Sequence, residues 1–218
     1  HVSDPLTVGQ LRQQAPLWLW PLLWGALLLI SVMGMAYAEP LFRWIEPNAR
    51  QVIYVRADFY VLLGRHLLVV GIAAMVTIVV GVLAGIAVTR ERGHDFLPLV
   101  GQLASLGQTF PPVAVLALAV PVLGFGTLPI IVALMLYGLL PIVRNTLTGL
   151  QEVDNDIKTA AHAMGMTQTQ TLLQIEMPLA APIILAGIRT SVTINIATAA
   201  LGATVGASNL GDPIIAGI

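Results

Sequence analysis

The longest uncharged stretch of the chain limits what it can fold into. From Phe96 to Val143, 48 consecutive residues include no Asp, Glu, Lys, Arg or His. A helix needs about 20 apolar residues to cross a bilayer, so this stretch can cross it twice. Only 10% of the residues are charged, whereas a soluble domain carries about a quarter. The sequence therefore predicts an all-α protein that crosses the membrane several times.

Apolar segments between charged loops give the expected order of spans. We predict five spans, at 17–38, 67–89, 96–123, 128–143 and 178–210, and a sixth that lies mostly beyond the chain end. The third span should be broken near Pro111-Pro112, because proline interrupts a helix.

The spans divide the chain into two predicted regions. Residues 1–60 hold the first span and the loop that follows it, and residues 61–218 form the core. In the second span, Gly81 and Gly85 form a small-residue pair that would let another helix approach closely.

Several classes of function are excluded by what the sequence lacks. The ten Lys and Arg residues are scattered and the net charge is −1, so no nucleic-acid footprint is present. There is no cysteine, which excludes disulfides and thiolate metal sites, and we expect neither a metal site nor catalytic residues. A phosphate-binding loop of the form Gly-x-x-x-x-Gly-Lys-Ser/Thr is missing, so any ATP must bind to another protein.

A polar stretch between the last two apolar regions has the pattern of two short helices. Asp154 or Asp156 can cap the start of the first helix. Glycine takes the left-handed conformation that follows a helix end, so Gly165 should end it. The residues predicted to share one apolar face of this helix are Ile157, Ala160, Ala161 and Met164.

The second short helix is predicted from a capping pattern. Thr167 with Gln170 three residues later is a capping box, and Pro178 should mark the next boundary after a helix that runs to about Ile175. The resulting helix-turn-helix could insert into a groove on a partner protein or could be a solvated loop. The residues alone leave these alternatives open.

This stretch resembles the EAA loop of the permease subunits of ABC importers. The family pattern is Glu-Ala-Ala, three residues, Gly, nine residues, Ile, one residue and Leu-Pro. The positions that match it are Ala160, Ala161, Gly165, Ile175 and Pro178. Two positions depart from it, because Thr159 stands in the Glu place and Met177 in the Leu place.

The resemblance implies how such a chain would be driven. In the family this loop docks onto a cytoplasmic ATPase, so residues 147–177, here named the coupling segment, should lie in the cytoplasm. Thr159 and the five matching residues are then the expected ATPase-coupling residues. We expect no cofactor in this chain, with ATP and Mg bound by the ATPase, and a type I ABC importer fold.

The resemblance extends over about residues 65–218 and is closest to osmoprotectant permeases. The similar segments are 85–90, 107–126 and 178–214. Such permeases import glycine betaine, choline and related compounds through the bacterial cytoplasmic (inner) membrane. The implied partners are the ATPase, a second permease subunit, with a heterodimer favoured, and a periplasmic substrate-binding protein, besides membrane lipid.

Polar residues of the third span are candidates for the translocation path. Gln102, Ser105, Gln108 and Thr109 share much of one helical face, where they could bond to other helices or line a pore. We choose Gln108, Thr109 and Phe110, since they precede the expected break. If the solute is a quaternary ammonium compound, Phe110, Phe125 and Tyr137 could bind its cation.

The fifth span carries a dense polar run that cannot all face lipid. It consists of Thr190, Ser191, Thr193, Asn195 and Thr198, of which we assign Asn195 and Thr198 to the path. Arg189 is the one charge deep in a span, where it could pair with another residue or contact the solute, and we favour a structural pairing role.

A secondary transporter or channel for a small polar solute is the alternative function. Such a protein would need its own energy coupling, which usually involves charged residues inside the spans. With Arg189 as the one such residue, the sequence favours the ATP-driven importer.

Overall fold

The computed structural model describes residues 18–106 and 109–217, which form helices joined by turns and include no strand. The chain divides into two compact units, residues 1–60 and 61–218. The helices in chain order are α1 (Leu19–Gly34), α2 (Glu39–Ile45), α3 (Phe59–Thr89), α4 (Leu97–Leu106), α5 (Pro112–Leu123), α6 (Thr127–Gln151), α7 (Asn155–Ala163), α8 (Gln168–Thr171), α9 (Met177–Ala199) and α10 (Asp212–Ala216).

Among the described residues, four helical stretches are long and apolar enough to cross a membrane. They are Leu19–Tyr37, Phe59–Thr89, Thr127–Gln151 and Gln168–Val205. The last stretch is longer than α9 because α8 and a π-helical turn, Leu172–Glu176, precede it and a 3-10 helix, Ala200–Val205, follows it.

The described part of the first unit includes the apolar helix α1 and the short, exposed helix α2. A 3-10 turn, Met35–Tyr37, extends α1, so the described part of the first predicted span is confirmed. Trp18, Trp20 and Trp24 are all more than half exposed, as expected for side chains in the interfacial region of a membrane.

The third span is broken, as the two prolines predict. The α4 helix has 10 residues and α5 has 12, so each is too short to cross the bilayer by itself. Pro111 is extended, with φ −65° and ψ 135°, and Pro112 begins α5, a position where its missing N–H costs nothing.

Two helices are longer than hydropathy predicted. The α3 helix begins at Phe59 instead of Leu67, and α6 ends at Gln151 instead of Val143. At 1.5 Å per residue, the 31 residues of α3 extend about 46 Å, well beyond the hydrocarbon core of about 30 Å. Both extensions carry buried side chains, so packing against neighbouring helices, which a hydropathy profile does not register, keeps them helical.

The core of the second unit is centred on α6. This helix packs most extensively against α9 and also contacts α4 and α5. Its fully buried residues include Ile130, Leu134 and Ile142. Residues of α3, α5, α6 and the 3-10 helix join one buried apolar cluster, which fixes the spans around α6.

The predicted close approach at Gly81 and Gly85 is confirmed. A methyl group added at Gly81 would lie 2.7 Å from Ile142 Cγ2, and one at Gly85 would lie 2.6 Å from Thr146 Cγ2. Both neighbours belong to α6, so the two glycines allow α3 to pack closely against it.

Gly85→Ala is expected to destabilise the chain by about 1–3 kcal/mol, because the added methyl group overpacks the contact with Thr146. The loss is measured as a lower midpoint of thermal unfolding of the purified protein in detergent. Gly71→Ala is the control, since a methyl group at that position of α3 meets nothing within 4 Å. Equal midpoints for the two variants would contradict the close packing.

Candidate functional site

The first helix of the coupling segment begins as predicted. Asp154 is the N-cap of α7, and its carboxylate accepts a hydrogen bond from the Asp156 backbone N–H at 2.8 Å. This bond satisfies one of the N–H groups that have no partner inside the helix. Of the two predicted caps, Asp154 therefore has this role.

The end of α7 is a glycine-dependent turn. Gly165 has φ +84° and donates to the His162 carbonyl at 3.0 Å, while the Met166 N–H donates to the Ala161 carbonyl at 3.1 Å. These two bonds form a Schellman motif, which requires a left-handed residue at the glycine position. The predicted end of the helix at Gly165 is confirmed.

The second helix begins with the predicted capping box. The Gln170 N–H donates to Thr167 Oγ1 at 3.3 Å, and the Thr167 N–H donates to Gln170 Oε1 at 2.9 Å. The helix does not end near Ile175, so that part of the prediction is wrong. It passes through the π-helical turn into α9, with Pro178 inside its first turn.

The π-helical turn at Leu172–Glu176 explains why Pro178 does not end the helix. In a regular α-helix the proline ring clashes with the carbonyl four residues earlier and removes a hydrogen bond. The π-helical turn directly before α9 changes that bonding pattern and gives the proline room.

The α7 helix and the Met164 residue that caps its end turn most of their apolar side chains outward. Thr159, in the Glu place of the family pattern, is exposed together with Ala160. Ile157 is 43% and Met164 75% exposed, whereas Ala161 is 1% exposed. The predicted single apolar face is therefore wrong, because Ala161 packs inward while the other three side chains form an outward surface.

An ion pair joins the coupling segment to Arg90, the residue that directly follows α3. Arg90 donates from Nη1 to Glu176 Oε1 at 2.9 Å and from Nη2 to Oε2 at 2.7 Å. The Glu176 side chain is 4% exposed and that of Arg90 is 30% exposed. The sequence analysis did not identify this pair. The available signal was that Arg90 and Glu176 are charged residues that each border an apolar segment.

A polar cavity lies next to this ion pair. Its volume is about 190 Å³, and it lies between the end of α3 and the first two helices of the coupling segment. The lining residues are Thr89, Arg90, Glu91, Lys158, His162, Gln168 and Glu176. Lys158 Nζ donates to the Leu150 carbonyl at 3.4 Å, which links α7 back to α6.

Arg90→Met is expected to destabilise the protein by about 3 kcal/mol, because it leaves the buried Glu176 carboxylate without its counter-ion. The double variant Arg90→Met with Glu176→Leu should recover most of that loss, since no buried charge remains. Unfolding midpoints of the purified protein in detergent measure both effects. The exposed Arg92→Met is the control, and a double variant no more stable than Arg90→Met would contradict the expectation.

The polar run of α9 separates onto two faces. Ser191, Asn195 and Thr198 are buried, whereas Thr190 and Thr193 are exposed together with Arg189. Two residues assigned to the path, Asn195 and Thr198, thus face the interior of this chain, and Asn195 is 0% exposed.

The buried polar side chains meet at a glycine of α6. A methyl group added at Gly138 would lie 2.7 Å from Asn195 Nδ2, 2.8 Å from Ser191 Oγ and 3.3 Å from Thr77 Oγ1. Thr77 donates to the Ala73 carbonyl at 2.7 Å. Asn195 Nδ2 and Oδ1 and Ser191 Oγ have no hydrogen-bond partner within the described residues. The side chains of Asn195 and Ser191 can therefore form further hydrogen bonds where α6 and α9 meet.

Two further polar residues bond to backbone groups of α9 and of the loop after it. His66 Nε2 lies 3.0 Å from the Ile196 carbonyl, although His66 is in α3 and 5% exposed. Asn209 donates to the Ala199 carbonyl at 2.8 Å and accepts from the Gly211 N–H at 2.7 Å. Sequence reasoning missed both, because each pairs with a backbone group that is distant or lies across a turn.

The candidates at the break of the third span have different surroundings. Gln108 lies outside the described residues, and Thr109 and Phe110 are exposed. Tyr137 is buried and donates its hydroxyl hydrogen to the Phe110 carbonyl, which links the break to α6. Phe125 is 80% exposed, in the turn between α5 and α6.

Comparison with known proteins places this arrangement among membrane transport subunits. The model of the family described as binding-protein-dependent transport system inner membrane component matches residues 77–218. The osmoprotectant import permease protein OsmY of Salmonella typhimurium is 44% identical over 171 residues, which cover 78% of this chain and 70% of OsmY.

A second relative and a solved structure extend the comparison. The glycine betaine/carnitine/choline transport system permease protein OpuCB of Bacillus subtilis is 41% identical over 176 residues, covering 80% of this chain and 76% of OpuCB. The fold is similar to a chain of the inward-facing MetNI methionine ABC transporter, with a TM-score of 0.61 and 21% identity over 72% of this chain and 81% of that chain.

Proposed function

The chain belongs to the family of binding-protein-dependent transport system inner membrane components, and we propose that it forms the translocation path for an osmoprotectant such as glycine betaine or choline. It is a multi-pass permease subunit of the bacterial inner membrane and a transport component, not an enzyme. The observation that carries the proposed solute is the 44% identity to an osmoprotectant import permease.

The family implies two partners, an ATPase that supplies energy and a substrate-binding protein that delivers the solute. We further propose that a second permease subunit completes the path, and we favour a heterodimer. ATP and Mg would then bind to the ATPase, because this chain has no phosphate-binding loop.

The coupling segment is the proposed contact with the ATPase. Its exposed surface of Ile157, Ala160 and Met164 is apolar and lies on a helix held at both ends by capping bonds. Such a preorganised helix loses little conformational freedom when it docks into a groove. Because Thr159 has no charge, we propose docking by shape and apolar contact at this position.

The proposed path includes residues of the broken third span and of α9. Thr109 and Phe110 are exposed, which supports their contact with a solute, and Gln108 stays a prediction. Asn195 and Thr198 would reach the path only if α6 and α9 separate, because both are buried at or near that contact. We propose that the unpaired amide of Asn195 becomes accessible in that state.

Reconstitution into vesicles tests the proposed function. The chain would be assembled with its ATPase, its paired permease and its binding protein, and uptake of labelled glycine betaine, choline, carnitine and proline would be measured. We expect uptake of at least one quaternary ammonium solute that needs ATP and is lost with an ATPase that cannot hydrolyse it. Uptake that follows an ion gradient without ATP would support a secondary transporter instead.

A further inference from the structure

The middle of α9 carries a cation, Arg189, that has no partner among the described residues. Arg189 lies roughly 18 Å along the helix from Met177 and roughly 15 Å from Ala199, which places it near the centre of a span. It is exposed and makes no ion pair or side-chain hydrogen bond with the described residues. The pairing role that the sequence suggested is therefore not fulfilled by this part of the chain.

Arg189 lies in a stripe that continues along the exposed face of α9. The residues of this stripe recur every three or four positions and include Leu185, Ala186, Arg189, Thr190, Thr193 and Ile196. Thr190 donates to the Ala186 carbonyl at 2.9 Å, and Thr193 donates to the Arg189 carbonyl at 2.8 Å. Both hydroxyl hydrogens are therefore used within α9. The N–H groups of Arg189 are the donors of this stripe that can bind another molecule.

A permanently charged guanidinium is costly in lipid, so this face of α9 must meet water, protein or an anion. Its rigid fork of N–H donors fits a carboxylate with two parallel hydrogen bonds. Glycine betaine and carnitine carry a carboxylate in addition to their quaternary ammonium group, whereas choline carries a hydroxyl group. Arg189 would therefore attract the first two solutes and repel the cation of choline.

We propose that Arg189 binds the carboxylate of zwitterionic solutes during their passage, so that the permease favours carboxylate-bearing osmoprotectants over choline. The inference rests on the proposed function. It assigns Arg189 as a specificity-determining residue that faces the path, with Thr190 and Thr193 beside it.

Uptake by the reconstituted complex gives the first test. Arg189→Gln is expected to lower glycine betaine and carnitine uptake about tenfold, the effect of a lost charge-assisted contact, while choline uptake is retained or rises. Arg189→Lys should keep part of the carboxylate uptake, and Arg92→Gln, which removes a charge from the turn after α3, is the control. An equal loss for all three solutes would overturn the proposal and indicate a role in subunit pairing.

A thiol placed at the same position gives a test that does not require choline to be imported. The 218-residue sequence has no cysteine, so Arg189→Cys introduces a single thiol into it. We expect a water-soluble aminoethyl methanethiosulfonate to label it, seen as a mass increase of the permease, and glycine betaine to slow labelling because position 189 lies on its path. Without the guanidinium, no preference of glycine betaine over choline is expected in this variant. Labelling of Arg92→Cys should be unaffected by either solute.

The outcomes separate this inference from the proposed function. A thiol that cannot be labelled, or whose labelling glycine betaine does not slow, would overturn the role of Arg189 even if osmoprotectant uptake is observed. A wild-type complex that imports choline but no carboxylate solute would also overturn the role of Arg189. Failure of the wild type to import any of these solutes would instead reject the proposed function.

Discussion

Gly165→Val is expected to lower ATP-driven uptake about tenfold or more and to weaken co-purification with the ATPase. Gly165 has φ +84°, and a β-branched residue in that region carries strain of about 1–3 kcal/mol. The strain would open the turn and displace α7, which carries the exposed Ile157, together with its exposed C-cap residue Met164. Uptake into vesicles and the amount of ATPase retained on the tagged permease measure the effect.

Gly165→Asn is the matched control for this prediction. Asparagine tolerates the left-handed conformation and also occurs at this position of helix ends. A Cβ atom added at Gly165 meets no atom within 4 Å, so the two variants differ mainly in how well they tolerate the left-handed backbone. We expect near-normal assembly for Asn and loss for Val, and full activity of the Val variant would reject the coupling segment as the ATPase contact.

Gly187→Leu is expected to reduce the stability of the permease by about 3 kcal/mol or more, the upper part of the range for overpacked sites. A methyl group at Gly187 would lie 2.6 Å from Asn145 Cβ and 2.8 Å from the Pro141 carbonyl oxygen. The backbone oxygen cannot move unless α6 moves, so the main helix pair of the fold would have to separate. Thermal unfolding in detergent and the yield of folded protein measure the loss.

Ala186→Leu provides the control for Gly187→Leu. Ala186 is the adjacent residue on the exposed face of α9, so the same enlargement there should change the unfolding midpoint little. If the two variants unfold at the same temperature, α6 and α9 do not pack as closely as the structure shows.

Much of the fold could be predicted because its signals are local. The number of apolar segments follows from the cost of placing charges in hydrocarbon. The caps at Asp154, Gly165 and Thr167 were predictable because each depends on bonds within a few residues. The start of α3 at Phe59 and the end of α6 at Gln151 could not be predicted, because packing against other helices extends them beyond their apolar segments.

The site was less predictable than the fold. Arg90 and Glu176 are 86 positions apart, and nothing in the neighbourhood of either residue identifies the other as its partner. The polar run of α9 was evident, but its division into buried Ser191 and Asn195 and exposed Arg189 depends on which face meets α6. Whether a polar residue lines a path is therefore a question of helix rotation.

The sequence by itself determined that this chain spans a membrane and carries a capped helix-turn-helix at residues 154–178, since hydrophobic length and backbone capping act over short distances. Only the tertiary structure decided which side chains meet. The Arg90–Glu176 ion pair, the polar cluster at Gly138 and the exposed position of Arg189 all depend on how α3, α6 and α9 pack. Such packing is set by complementary shapes of distant segments, and these shapes exist only once the helices are together.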